Sequence, residues 1–152
     1  MNLAFDYLVC SDAFDAYILD GSLSISLHAP NSTLTMDMLI QSGADEDVYW
    51  INNYRMTVTD FSSYLSMTIS GRFYDPAYGY VTVSTPQSID ADYADMVPGS
   101  GELLVVGSAG AAGGPTMAKL TFSDSGVFSV AADTNGDGLY NWDSGERYWS
   151  SY

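Results

Sequence analysis

The chain has 152 residues, 47% apolar, 14% aromatic and only 15% charged, which suits a folded core and not a disordered segment. Nineteen acids stand against four bases, a net charge of −15, so charge repulsion argues against nucleic acid or an anionic membrane surface as partner. The length fits a single domain over 1–152, and no apolar run approaches the ~20 residues of a membrane span.

Residues 1–20 read two ways, as an acidic amphipathic helix or as two strands broken at Ser11-Asp12, and the β-rich context favours strands. The single cysteine, Cys10, excludes an intrachain disulfide and is expected as a small buried hydrophobe. No basic segment opens the chain, so any secretion signal is expected to have been removed ahead of Met1. From Ser22 onward the pattern is period two. Leu23, Ile25 and Leu27 alternate with serines, and Thr33 to Met38 alternates again after Ala29-Pro30-Asn31-Ser32, which predicts a hairpin with one apolar and one wet face.

The same alternation recurs in Tyr54–Thr59, Tyr64–Ser70 and Gly79–Ser84. It continues in Glu102–Val106, Met117–Phe122 and Val127–Ala132. Asp75-Pro76-Ala77-Tyr78-Gly79 supplies a hairpin turn, and Gly71 marks a bulge or bend. Asp92 to Met96 suggests one helical turn, and Ser108 to Gly114 a flexible small-residue loop. Short strands at this even spacing predict an all-β fold, an antiparallel meander forming a β-sandwich or barrel of about 8–10 strands.

One stretch spells out a chemistry. In Asp133-Thr134-Asn135-Gly136-Asp137-Gly138-Leu139-Tyr140-Asn141-Trp142-Asp143, side-chain oxygens occupy alternate positions and glycines follow where the chain must wrap. Calcium takes six to eight hard oxygens, and this spacing offers Asp133, Asn135, Asp137, the Leu139 carbonyl, Asn141 and Asp143. The loop resembles those of EF-hands, dockerins, thrombospondin-type repeats and the strand-joining loops of the integrin propeller. It departs from an EF-hand at its twelfth position, Ser144, where a bidentate glutamate belongs; Glu146 lies two residues beyond. The plain alternative is an acidic hairpin turn, because Asn-Gly and Asp-Gly favour turns without any metal.

A broader resemblance joins Ser70-Gly71-Arg72, Gly79 to Val83, Pro98 to Leu103 and Asp133 to Gly138. Together they look like the C-terminal half of uncharacterised β-rich bacterial envelope proteins and lipoproteins. That resemblance implies an exported domain, secreted, periplasmic or on the cell surface, and nothing catalytic.

Enzyme chemistry finds little support. His28, the only histidine, sits beside Ala29-Pro30 with no nucleophile elbow to serve, and one histidine with one cysteine cannot make an ordinary zinc site. Asp45-Glu46-Asp47 reads as a solvated face. The glycine run from Gly107 to Gly114 lacks the Lys-Ser/Thr ending of a phosphate loop. No catalytic residue is assigned. Twelve tyrosines and three tryptophans instead fall in groups such as Tyr49-Trp50, Phe73-Tyr74 and Tyr78-Gly79-Tyr80, which suits either cross-strand packing or stacking on sugar rings. The expectation is a non-enzymatic extracytoplasmic structural or interaction module with a calcium loop. A carbohydrate-binding module is the first alternative, and a calcium-dependent surface-layer, filament or adhesin subunit the second. The partners left open are Ca2+, a glycan or a protein.

Overall fold

The computed structural model describes residues 1–11, 16–43, 47–94, 97–124 and 126–149. Nine strands follow one another as a meander: β1 (Asn2–Ser11), β2 (Ala16–His28), β3 (Asn31–Ser42), β4 (Val48–Asp60), β5 (Tyr64–Asp75), β6 (Gly79–Asp92), β7 (Pro98–Ala109), β8 (Pro115–Asp124) and β9 (Val127–Asp133). Each pairs antiparallel with the next, and two short strands, β10 (Trp142–Asp143) and β11 (Arg147–Tyr148), both pair with β9. Among the described residues the result is one sheet of eleven strands.

The sandwich-or-barrel expectation is corrected on one point: the sheet stays open. Closure would pair β1 with β9, but the free side of β9 is taken by β10 and β11. The exposed surface, 9477 Å², exceeds the ~7,500 Å² of a compact monomer of this mass, as an uncurled sheet requires. Asn2–Ser11 and Ala16–His28 are strands and not a helix, while Asp12, Asp45, Glu46, Asp95 and Met96 lie outside the described residues.

The registers separate two faces. On one, Ile25, Leu34, Met56 and Ile69 lie side by side across four strands, as do Leu103, Leu120 and Val130 further along. This apolar face is mostly half-buried, and among the described residues only Met38, Ile89 and Phe122 of its large side chains are buried. Near β9 the Trp149 ring covers Phe122 and Phe128, at centroid distances of 6.5 and 5.9 Å. Cys10 is exposed on β1, contrary to the buried position expected of it, because an edge strand has a neighbour on one side only.

The strands bend in mid-course, where the registers slip. In β4 the pairing jumps between Asn52 and Arg55, and the bulge places Asn53 at φ 51°. Opposite it, Gly71 permits a close approach: a Cβ there would lie 2.9 Å from the Tyr54 Cα, and Tyr54 meets Phe73 edge-on at 5.8 Å. β6 runs through Pro86 because the proline falls at a slip, between Ser84 and Gln87. Where β5 and β6 also slip, the Thr85 hydroxyl accepts the Ile69 N–H at 3.0 Å, replacing a lost ladder bond.

Candidate functional site

Among the described residues, two arrangements gather polar side chains into hydrogen-bond networks, one formed by a loop and one by the polar face of the sheet.

The loop follows β9. Asp133 is 1% exposed, and its carboxylate accepts the N–H of Gly136 at 2.7 Å, of Asn135 at 3.2 Å and of Gly138 at 2.8 Å. Burial pushes its pKa up, but the loop's N–H groups, Gly136 and Gly138 foremost, outweigh that and hold it below the usual carboxylate value. Asn135 donates its side-chain amide to Asp137 at 3.1 Å, so the loop gathers Asp133, Asn135 and Asp137 in one network. The Asp137 carboxylate also accepts the Leu139 N–H at 2.9 Å.

The remaining candidate ligands are committed elsewhere. Asn141 accepts the N–H and hydroxyl of Thr134, at 3.2 and 3.0 Å, while Asp143 lies on β10 and accepts the Gly145 N–H at 2.6 Å. Leu139 is 70% exposed. Among the described residues no three Asp, Glu, His or Cys side chains form a metal cluster, so an ion here would rest on Asp133, Asp137, the Asn135 amide and main-chain carbonyls.

The glycine-rich segment after β7 proves to be the loop's support. Ala112 donates its N–H to the Asn135 carbonyl at 2.7 Å and Gly114 donates to the Gly136 carbonyl at 3.1 Å. Gly136 sits at φ 79°, where a Cβ would collide with the Gly114 carbonyl, so the two loops meet backbone to backbone. Lys119 on β8 stands 5.7 Å from the Tyr140 ring centroid and pairs with Glu102 at 3.2 Å, tying the far side of the loop to the sheet.

The second arrangement was not legible as a site in the sequence. Cross-strand register aligns Leu39, Trp50, Tyr74 and Tyr80 in one row over β3 to β6. The next row on the same face holds Ser22, Asp37, Asn52, Arg72 and Thr82. Asp37 sits opposite the β4 bulge and accepts hydrogen bonds from Trp50 Nε1 at 3.2 Å, from the Asn52 amide at 3.1 Å and from the Asn53 N–H at 3.4 Å. Tyr80 meets Trp50 edge-on at 6.3 Å and lies tilted against Tyr74 at 4.7 Å, and the Arg72 guanidinium stands 5.8 Å from its ring centroid. Asp37, Leu39, Arg72 and Tyr80 are exposed, and Trp50, Asn52 and Tyr74 half-buried, so the whole array faces solvent. The only hint in the sequence was the grouping of aromatics; their alignment depends on strand register.

A third feature is an open cavity of about 550 Å³ between the ends of β5 to β8, lined by Asp90, Asp92 and Asp124 with Ser63, Tyr64 and Ser100. Asp90 accepts the Ser88 and Ser100 hydroxyls at 3.3 and 3.5 Å. His28 is exposed at the end of β2, with Ser26 Oγ 2.9 Å from its Nδ1.

Comparison with protein-family models, with curated proteins and with solved structures finds no match to this chain.

Proposed function

We propose that the protein is a non-enzymatic interaction module that works outside the cytoplasm and binds its partner on the polar face of the sheet around Asp37 and Trp50. The observation that carries this reading is that four strands converge to present Asp37, Trp50, Asn52, Arg72 and Tyr80 as one ordered, solvent-facing array. A carboxylate oriented by two side-chain donors, beside exposed rings, lowers the ordering cost of binding. The resemblance to bacterial envelope proteins supports the extracytoplasmic setting.

The reading is tested by retention of the purified chain on isolated bacterial envelopes. Retention is expected for the parent and is expected to fall in Tyr80→Ala; envelopes that hold neither protein remove the reading. Should those envelopes release reducing sugar with the parent and not with Asp92→Asn, the large acidic cavity would be a hydrolytic site and the module an enzyme.

A calcium ion on the 133–143 loop is a second part of the proposal, favoured by the convergence of Asp133, Asn135 and Asp137 on a wrapped loop. It would fasten a hairpin and not supply a reaction. A melting midpoint that is the same in EDTA and in excess calcium retires it.

A further inference from the structure

We propose that the polar face binds a neutral oligosaccharide, with a sugar ring stacked on the Trp50–Tyr80 row and sugar hydroxyls donating to Asp20 and Asp37. The inference rests on reading this face as the working surface. Two shallow cavities, of about 340 and 360 Å³, share Asp37 as a common wall. Asp20, Leu39 and Trp50 line the first, and Ser22, Thr35 and Arg55 the second. They lie on either side of Asp37 across β2 to β4, a layout that suits successive rings of a chain more than a single small molecule.

The class of ligand follows from the groups that line it. The C–H face of a pyranose is apolar and matches an aromatic ring, and its rim of hydroxyls supplies donors. Ionised carboxylates only accept, so Asp20 and Asp37 suit hydroxyl donors, in charge-assisted bonds stronger than neutral ones. Asp37 Oδ2 already accepts from both Asn52 and Asn53, while Oδ1, engaged by Trp50 alone, keeps a further lone pair for a ligand. A net charge of −15 turns anionic glycans away.

The test is migration of the intact chain through native gels cast with a soluble β-glucan, xylan or mannan, or with anionic polygalacturonate. At least one neutral polymer is expected to retard it and polygalacturonate is not. Tyr80→Ala and Asp20→Ala are each expected to weaken the retardation roughly tenfold, while Tyr80→Phe, which keeps the ring, is expected to hold it. Neither altered position lies in the β4 bulge, and circular dichroism matching the parent confirms that each variant folds. Equal retardation of the parent and both alanine variants overturns the proposal, as does preference for polygalacturonate or displacement by choline. Envelope retention that survives periodate but not protease removes the glycan while leaving an interaction module in place. Loss of envelope retention altogether removes the module reading itself.

Discussion

Asp133 and Asp37 each collect three hydrogen-bond donors, yet they do opposite work. The donors of Asp133 are backbone N–H groups two, three and five residues downstream, and the carboxylate is buried among them. The donors of Asp37 come from β4, thirteen to sixteen residues away, two of them side chains, and the carboxylate remains exposed. A carboxylate enclosed by its own loop holds the loop's shape. One that ties together side chains from a neighbouring strand organises a surface and keeps capacity for a ligand.

This contrast sets the order of expected effects. Asp133→Ala removes the acceptor of several enclosed N–H groups, and the melting midpoint is expected to fall by on the order of 5–10 °C in differential scanning calorimetry. A variant that melts with the parent would place Asp133 on the same footing as Asp37. Gly136→Ala comes next. Its Cβ meets the Gly114 carbonyl in a left-handed backbone, and a loss of about 1–3 kcal/mol is expected in urea unfolding.

Acid sharpens the same comparison. Because the loop's N–H groups hold the Asp133 pKa below its ordinary value, its stabilisation is complete above the unfolded value near ~4. It is lost as pH falls through the lower, folded value. The gap in stability between the parent and Asp133→Ala is therefore expected to be full at pH 7 and to shrink below about pH 4. A gap that persists unchanged at pH 2 would show that the charge of Asp133 is not what matters.

The two smallest effects separate the sites by ligand. Asp37→Ala is expected to cost only about 0.5–1.5 kcal/mol in urea unfolding, because water can replace the donors' partner at an exposed position. A loss as large as that of Asp133→Ala would make Asp37 structural. Millimolar calcium is expected to stabilise the parent by about 0.4–1.4 kcal/mol, if its affinity is that of extracellular modules. The same gain in Asp137→Ala would move the ion away from this loop.

Much of the fold was legible because a half-wet sheet writes itself as alternation. Leu23-Ser24-Ile25-Ser26-Leu27 and Tyr64 to Ser70 fall within β2 and β5 as expected, and Asp75 accepts the N–H groups of Ala77 and Tyr78 in the predicted turn. The first half of β4 and the second half of β6 were missed. Asn52-Asn53 and Pro86 look like breakers, but they sit at bulges, where an unpaired residue or a missing donor is tolerated. The glycine run from Gly107 to Gly114 looked like a flexible loop until its partner, the Asn135-Gly136 backbone, was in view.

The sequence by itself determined the all-β class, the hairpin order and the compact acidic loop, because each depends on residues a few positions apart. Period-two alternation and Asx-type turns are local and leave a local signature. Tertiary structure alone decided that the sheet stays open, that two loops dock through glycine, and that Trp50, Tyr74 and Tyr80 line up beside Asp37. Those outcomes depend on register, and a bulge of one residue changes which side chains meet across strands.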